Sequence, residues 1–142
     1  MSEPLTVAGA RELAVRAHGD QTDRDGTAHI AHVARVADRH HDSPAFQRVA
    51  WLHDVLEDTG ADRAELQARL PAAEWEALLL LTHDDDRPYP EYIEAIATAG
   101  GAAGELARAV KEADALDNLR RCRDARDPMI AQYGAALARL WS

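Results

Sequence analysis

Trp51-Leu52-His53-Asp54-Val55-Leu56-Glu57-Asp58-Thr59 sets metal-capable and proton-transferring side chains among residues that favour burial. Within six positions it carries His53, Asp54, Glu57 and Asp58, mixed with or preceded by Val49, Ala50, Trp51, Leu52, Val55 and Leu56. Read as a helix, the segment stacks His53 one turn before Glu57 and Asp54 one turn before Asp58, because residues four apart share a face. Carboxylates and an imidazole buried together without compensation cost several kcal/mol or more. Either they meet cations, of which a bound metal is the compact choice, or the segment is not that helix.

Helical spacing continues outward from this segment in both directions. Ser43-Pro44 is a strong start for the helix that carries His53-Asp54, since serine accepts from free amides and proline has no amide to lose at the first position. Gly60 is a fitting terminator. Upstream, a helix is expected over 7–18, capped by Thr6, with Leu13, Ala14 and Ala17 inward. After the polar loop 21–27, Ile30, Val33, Ala34 and Ala37 mark a second. Downstream, Asp62 and Glu65 form a capping box for a short helix ending near Leu70. Residues 72–82, with Trp75 and Leu78 to Leu81, read as a core helix. A loop over His83-Asp84-Asp85-Asp86-Arg87-Pro88 follows, then a helix with Tyr92, Ile93 and Ile96 that Gly100-Gly101 ends. A long helix over 102–121 turns Leu106, Val110, Ala113 and Leu116 inward, and Asp127-Pro128 opens a last one reaching Leu140. Trp51, Trp75 and Trp141 are expected in the core. No segment alternates with period two, so the chain reads as one all-α domain, 1–142, of seven to eight helices.

Composition narrows the function. A length of 142 residues, 46% hydrophobic and 29% charged, fits a single ordinary core. Sixteen basic against 25 acidic residues give a net charge of −9, which argues against a general nucleic-acid or membrane-surface binder. No apolar run reaches the roughly 18 residues of a membrane span, and Met1-Ser2-Glu3-Pro4 lacks a signal-peptide layout, so a cytoplasmic protein is expected. The one cysteine, Cys122, excludes an internal disulfide and a cysteine-rich zinc site. Any metal must use histidine and carboxylate ligands.

His32, the His53-Asp54 pair and Asp114 make a two-imidazole, two-carboxylate set from three helices, suited to manganese, iron or zinc. Such an ion makes water a competent nucleophile near neutral pH, and Glu57 and Asp58 are placed to take its proton. Spacing alone does not separate His32 from His29, three residues earlier. Asp117 competes with Asp114, which is favoured because it follows the inward Ala113. Lys111, Arg120 and Arg121 suit either a phosphate or a solvated helix face, and Arg24 is the one basic residue in the first loop.

These residues carry a resemblance. The order His32, His53-Asp54, Asp114 resembles the HD-domain metal-dependent phosphohydrolases, an all-helical superfamily. Gly26-Thr27-Ala28-His29-Ile30-Ala31-His32, His53-Asp54-Val55-Leu56-Glu57-Asp58-Thr59 and Lys111-Glu112-Ala113-Asp114-Ala115-Leu116-Asp117-Asn118 are similar to three motifs of the RelA/SpoT-type alarmone hydrolases. The resemblance covers most of the chain, from His18 to Arg120. It implies an HD-type helical bundle and a manganese enzyme that removes the 3′-pyrophosphate from guanosine tetra- or pentaphosphate. It also implies His32, His53, Asp54 and Asp114 as ligands, Glu57 and Asp58 as catalytic residues, and Asn118 at the substrate, where the charges of Arg24 and Lys111 make them further candidates.

The sequence departs from that family in the first loop, where Thr22-Asp23 leave only Arg24 basic. Ala115 stands where the family has lysine, His29 where it has an aromatic residue, and Val33 where it has proline. Fewer cations weaken a pocket for a highly phosphorylated nucleotide, by roughly 1.5 to 3 kcal/mol per charge-assisted hydrogen bond. A nucleotidase or phosphatase acting on a less charged phosphate ester is therefore the alternative, with a ligand-sensing HD module that lacks turnover as a third.

Overall fold

The computed structural model describes residues 3–142, apart from the side chain of Asp58. Among the described residues nine helices run in order: α1 (Val7–His18), α2 (His29–Ala37), α3 (Pro44–Leu52), α4 (Val55–Asp58), α5 (Arg63–Arg69), α6 (Ala72–Leu81), α7 (Tyr89–Thr98), α8 (Gly101–Arg121) and α9 (Met129–Trp141). Among the described residues the extended pairing is limited to one antiparallel bridge between Thr22 and Ala28, which closes the first loop. No helix among the described residues is long and apolar enough to cross a membrane.

The caps lie where the side chains dictate. Thr6 Oγ1 accepts from the Gly9 amide at 2.9 Å, Ser43 Oγ from Phe46 at 3.2 Å, and Asp62 Oδ1 from Glu65 at 3.2 Å. Each satisfies an amide that the first helical turn leaves without a partner. At the turn into α8, Gly101 adopts φ of +70°, and a Cβ on Gly104 would collide with the Ala99 carbonyl. That close approach, with Arg108 Nη1 donating to Ala99 O at 2.6 Å, fixes the angle at which α8 enters the bundle.

α8 is the spine. Over 21 residues it packs against α2, α3, α6, α7 and α9, burying Ala107, Val110, Ala113 and Ala115. Opposite it, α3 buries Phe46, Val49, Ala50 and Leu52, each large apolar side chain contributing roughly 1.5 to 3 kcal/mol. Arg48 holds α3 to α6 with a fork onto the buried Glu74, at 2.7 and 2.8 Å.

Two apolar expectations are corrected. Ala77, Leu78 and Leu81 of α6 are buried but Leu79 is 43% exposed, because successive residues on a helix point about 100° apart and one face must meet solvent. Trp141, at the end of α9, is 60% exposed rather than core, whereas Trp51 and Trp75 pack against the core.

The larger correction concerns the segment 51–59. It is not one helix to Gly60 but two, broken at His53-Asp54. In an unbroken helix the Ala50 carbonyl would accept from the Asp54 amide. Here it takes His53 Nδ1–H at 2.6 Å, with the His53 amide at 3.4 Å, and Asp54 turns to φ −105°, ψ −1°. The break matters chemically. Adjacent residues on a regular helix do not face each other, yet His53 Nε2 and Asp54 Oδ2 converge to 3.2 Å.

Candidate metal centre

His32 from α2, His53 from the end of α3 and Asp114 from the middle of α8 meet in the interior, all buried. One ligand atom from each lies within 4.8 Å of the others, the spacing of a shared ion. His32 Nε2 is 2.8 Å and His53 Nε2 3.4 Å from Asp114 Oδ1.

Each imidazole is aimed by what its other nitrogen touches. His53 Nδ1–H donates to the Ala50 carbonyl and His32 Nδ1–H to Asp117 Oδ2 at 2.6 Å. Both rings therefore present Nε2 to Asp114, in the tautomer a metal requires. His53 Nε2 is buried and lacks a well-directed hydrogen bond among the described residues, although two carboxylates stand within 3.4 Å. A buried ring nitrogen facing two carboxylates can face them only through a proton that it holds poorly directed, and a divalent cation can take that proton's place. The donor set fits such an ion.

Electrostatics agree. Burial disfavours a charged Asp114, but Lys111, His32 and His53 outweigh it and hold its carboxyl well below the usual range. Burial likewise opposes an imidazolium at His53, yet Asp54 and Asp114 raise its pKa well above the ordinary value, and His32 is raised in the same way by Asp114 and Asp117. The cluster thus holds protons where a metal would compete for the same lone pairs.

Asp54 stands at the rim of this group. Its Oδ2 is 3.2 Å from His53 Nε2 but 2.9 Å from Nε2 of His29, whose Nδ1 reaches Asp23 Oδ1 at 2.7 Å. The hydrogen bond to Asp54, against the cost of burial, lifts the His29 pKa to about 9. Both histidines that spacing left in competition therefore serve the site, His32 facing Asp114 and His29 holding Asp54.

Lys111 lies away from the cavity wall. It is buried, with Nζ 2.9 Å from Asp114 Oδ2 and over the rings of Tyr92 and Tyr89 at 5.1 and 5.6 Å. Glu57 accepts from the His83 amide at 2.9 Å and so anchors the loop after α6 rather than lining that wall. The Asp58 side chain lies outside the described residues.

His32, Asp54 and Asp114 form the floor of a cavity of about 780 Å³. Its walls are the first loop, with Arg24, the end of α8 and the segment after it, with Asn118, Arg121 and Arg123, and Tyr133 from α9. Asn118 Nδ2 is 3.3 Å from Asp114 Oδ1. Six aspartates and three arginines line the space. Arg24 pairs with Asp127 at 2.6 Å, and Arg121 with Asp23 at 2.7 Å and Asp25 at 3.0 Å.

The chain shares the fold of a ppGpp-hydrolysing protein. A solved structure of a metazoan ortholog of SpoT, described as hydrolyzing ppGpp and playing a role in starvation responses, matches with a TM-score of 0.72. Identity is 21%, over 94% of this chain and 82% of that one. No family model and no curated protein matches the sequence. The all-helical single bundle expected from the sequence is thus the fold observed.

Sequence reasoning passed over two contributions. Asp117, weighed only as a rival ligand, instead orients His32. Its signal was its place one turn from Asp114 on a buried stripe. Arg123 and Tyr133 reach the cavity by tertiary folding alone and had no local signal.

Proposed function

We propose that this chain is a divalent-metal-dependent phosphohydrolase acting on a nucleotide, most like guanosine-3′,5′-bis(diphosphate) 3′-pyrophosphohydrolase, working in the cytoplasm. The observation that carries the reading is the convergence of ligand atoms of His32, His53 and Asp114 within 4.8 Å of one another, with His32 and Asp114 lining a nucleotide-sized cavity. The shared fold with a ppGpp-hydrolysing protein supports it.

His32, His53 and Asp114 would hold the ion, with Asp54 as a fourth ligand released from His29. Manganese suits this mixed nitrogen and oxygen set, and iron or zinc are also compatible. When bound, the ion supplies Lewis acidity that activates water near neutral pH and polarises a phosphoryl oxygen. Glu57, once released from the His83 amide, and Asp58 would take the water's proton. Arg24, Asn118, Arg121 and Arg123 contact the substrate, whereas Lys111 acts on Asp114, holding its carboxylate charged and in place.

A second substrate class has its own support. With six aspartates against three arginines, and Arg24 and Arg121 already paired, the cavity is poorly matched to a nucleotide bearing two diphosphates. A nucleoside monophosphate or another ester of lower charge meets less repulsion.

Incubation with manganese and a nucleotide panel decides between them. Pyrophosphate released from the alarmone supports the first reading, and orthophosphate released from monophosphates supports the second. Silence across the panel would contradict both. Asp54→Ala should lose metal and turnover together, whereas Glu57→Ala should keep the metal and lose most of the rate; equal metal loss in the two would undo this division of roles.

A further inference from the structure

Two neighbouring stripes of α8 face different spaces. Asp114, Asn118 and Arg121 line the metal cavity, while Leu116, Asp117 and Arg120 line a separate cleft of about 670 Å³ between α8 and the end of α2. That cleft has an apolar floor, Leu116 and Leu119, and a rim of Arg35, Arg39 and Arg120. In a chain of net charge −9, three guanidinium groups beside only two carboxylates, Asp38 and Asp117, form a locally positive surface.

Asp117 joins the two spaces. Its Oδ2 accepts from His32 Nδ1–H at 2.6 Å and Arg35 Nη2 at 3.1 Å; its Oδ1 accepts from Arg35 Nε at 2.8 Å and Arg120 Nη2 at 3.0 Å. Burial is outweighed by these donors, and the carboxyl is held far below its usual range. On their outer sides the arginines remain open, with 38% of the Arg35 and 66% of the Arg120 side chain exposed. Arg39 is exposed as well, with no ion pair to another side chain among the described residues.

We propose that this cleft binds a small phosphate-bearing anion and that Asp117 couples its occupancy to the metal ligand His32. Guanidinium forks match phosphate oxygens, and Arg35 and Arg120 keep N–H groups that Asp117 does not use. The leucine floor suits an apolar or ring portion of the same molecule. An anion that draws Arg120 outward relieves Asp117 of a competing donor. The carboxylate then accepts more strongly from His32 Nδ1–H, and Nε2 becomes a better ligand. By linkage, a metal at His32 tightens the anion by the same factor.

The test is a titration of the metal-free protein with inorganic pyrophosphate at constant ionic strength, followed by nitrogen NMR. Saturable shifts are expected at the guanidinium groups of Arg35, Arg39 and Arg120 and at the ring nitrogens of His32. Arg39→Glu should weaken binding by about tenfold or more, with Arg39→Gln between it and the parent. Unchanged thermal unfolding of both variants verifies the fold. Shifts confined to Arg24, Arg121 and Arg123, a linear response without saturation, or binding undiminished in Arg39→Glu would overturn the site. A His32 ring that stays still while the arginines shift would overturn the coupling.

Discussion

Asp114 and Asp117 sit one turn apart on α8, both buried and both within hydrogen-bonding distance of His32, yet their surroundings give them opposite work. Around Asp114 stand two imidazole nitrogens that can give up protons, Lys111 and Asn118. Asp117 meets His32 Nδ1–H and two arginines, donors that keep their protons. The first carboxylate can exchange protonated neighbours for a cation, whereas the second is saturated and can only orient its partner. The neighbours, not the residue type, decide which acid is a ligand.

Replacing Asp114 breaks this contrast most severely. Asp114→Asn should abolish metal retention measured by elemental analysis after gel filtration, and retention at the parent level would mean that the ion sits elsewhere. Lys111→Met comes next. It leaves Asp114 buried beside the imidazoles and Asn118 without its ammonium partner, so unfolding free energy should fall by about 3 kcal/mol, measured by denaturant titration. A neutral result would show that Lys111 is dispensable to that carboxylate. Asp117→Asn should have a smaller effect, weakening metal binding by about 10- to 100-fold in calorimetry while leaving a site that can still be filled. Equal losses for Asp117→Asn and Asp114→Asn would erase the distinction between the two acids.

The smallest expected effect is in the pH dependence of the metal-free protein. His29 is raised from 6.5 to about 9, mainly through its hydrogen bond to Asp54, and His32 and His53 are raised as well. The folded state therefore binds protons more tightly than the unfolded chain. The resulting stability is complete below pH 6.5 and is lost as pH rises through about 9. Tm of the metal-free protein should fall across that interval. Metal-loaded protein should show a shallower fall, since ligation requires deprotonated imidazoles. A metal-free Tm that climbs with pH would contradict the proton-holding cluster.

Much of the fold was legible because local chemistry and tertiary structure agree. Thr6, Ser43 and Asp62 cap the helices that their positions predict, and Ile30, Val33, Ala34 and Ala37 mark the extent of α2. The site was legible as residue types but not as geometry. Periodicity favours continuing the helix through His53, because nothing in spacing reveals that an imidazole will take the Ala50 carbonyl and stop it. The same limit applies to Lys111, which reads as a phosphate ligand until the rings of Tyr89 and Tyr92 are seen to enclose it. Arg121 was ambiguous for a different reason. Its partners Asp23 and Asp25 lie nearly a hundred residues earlier, beyond any window in which pattern carries information.

The central claim is that helices α2, α3 and α8 deliver one shared divalent ion site. Anomalous diffraction at the manganese edge from crystals grown with that ion tests it most directly. The account predicts a single strong peak bonded to Nε2 of His32, Nε2 of His53 and an oxygen of Asp114, at roughly 2.0 to 2.3 Å. A peak bound by other residues, or none at these three under saturating manganese, would contradict it.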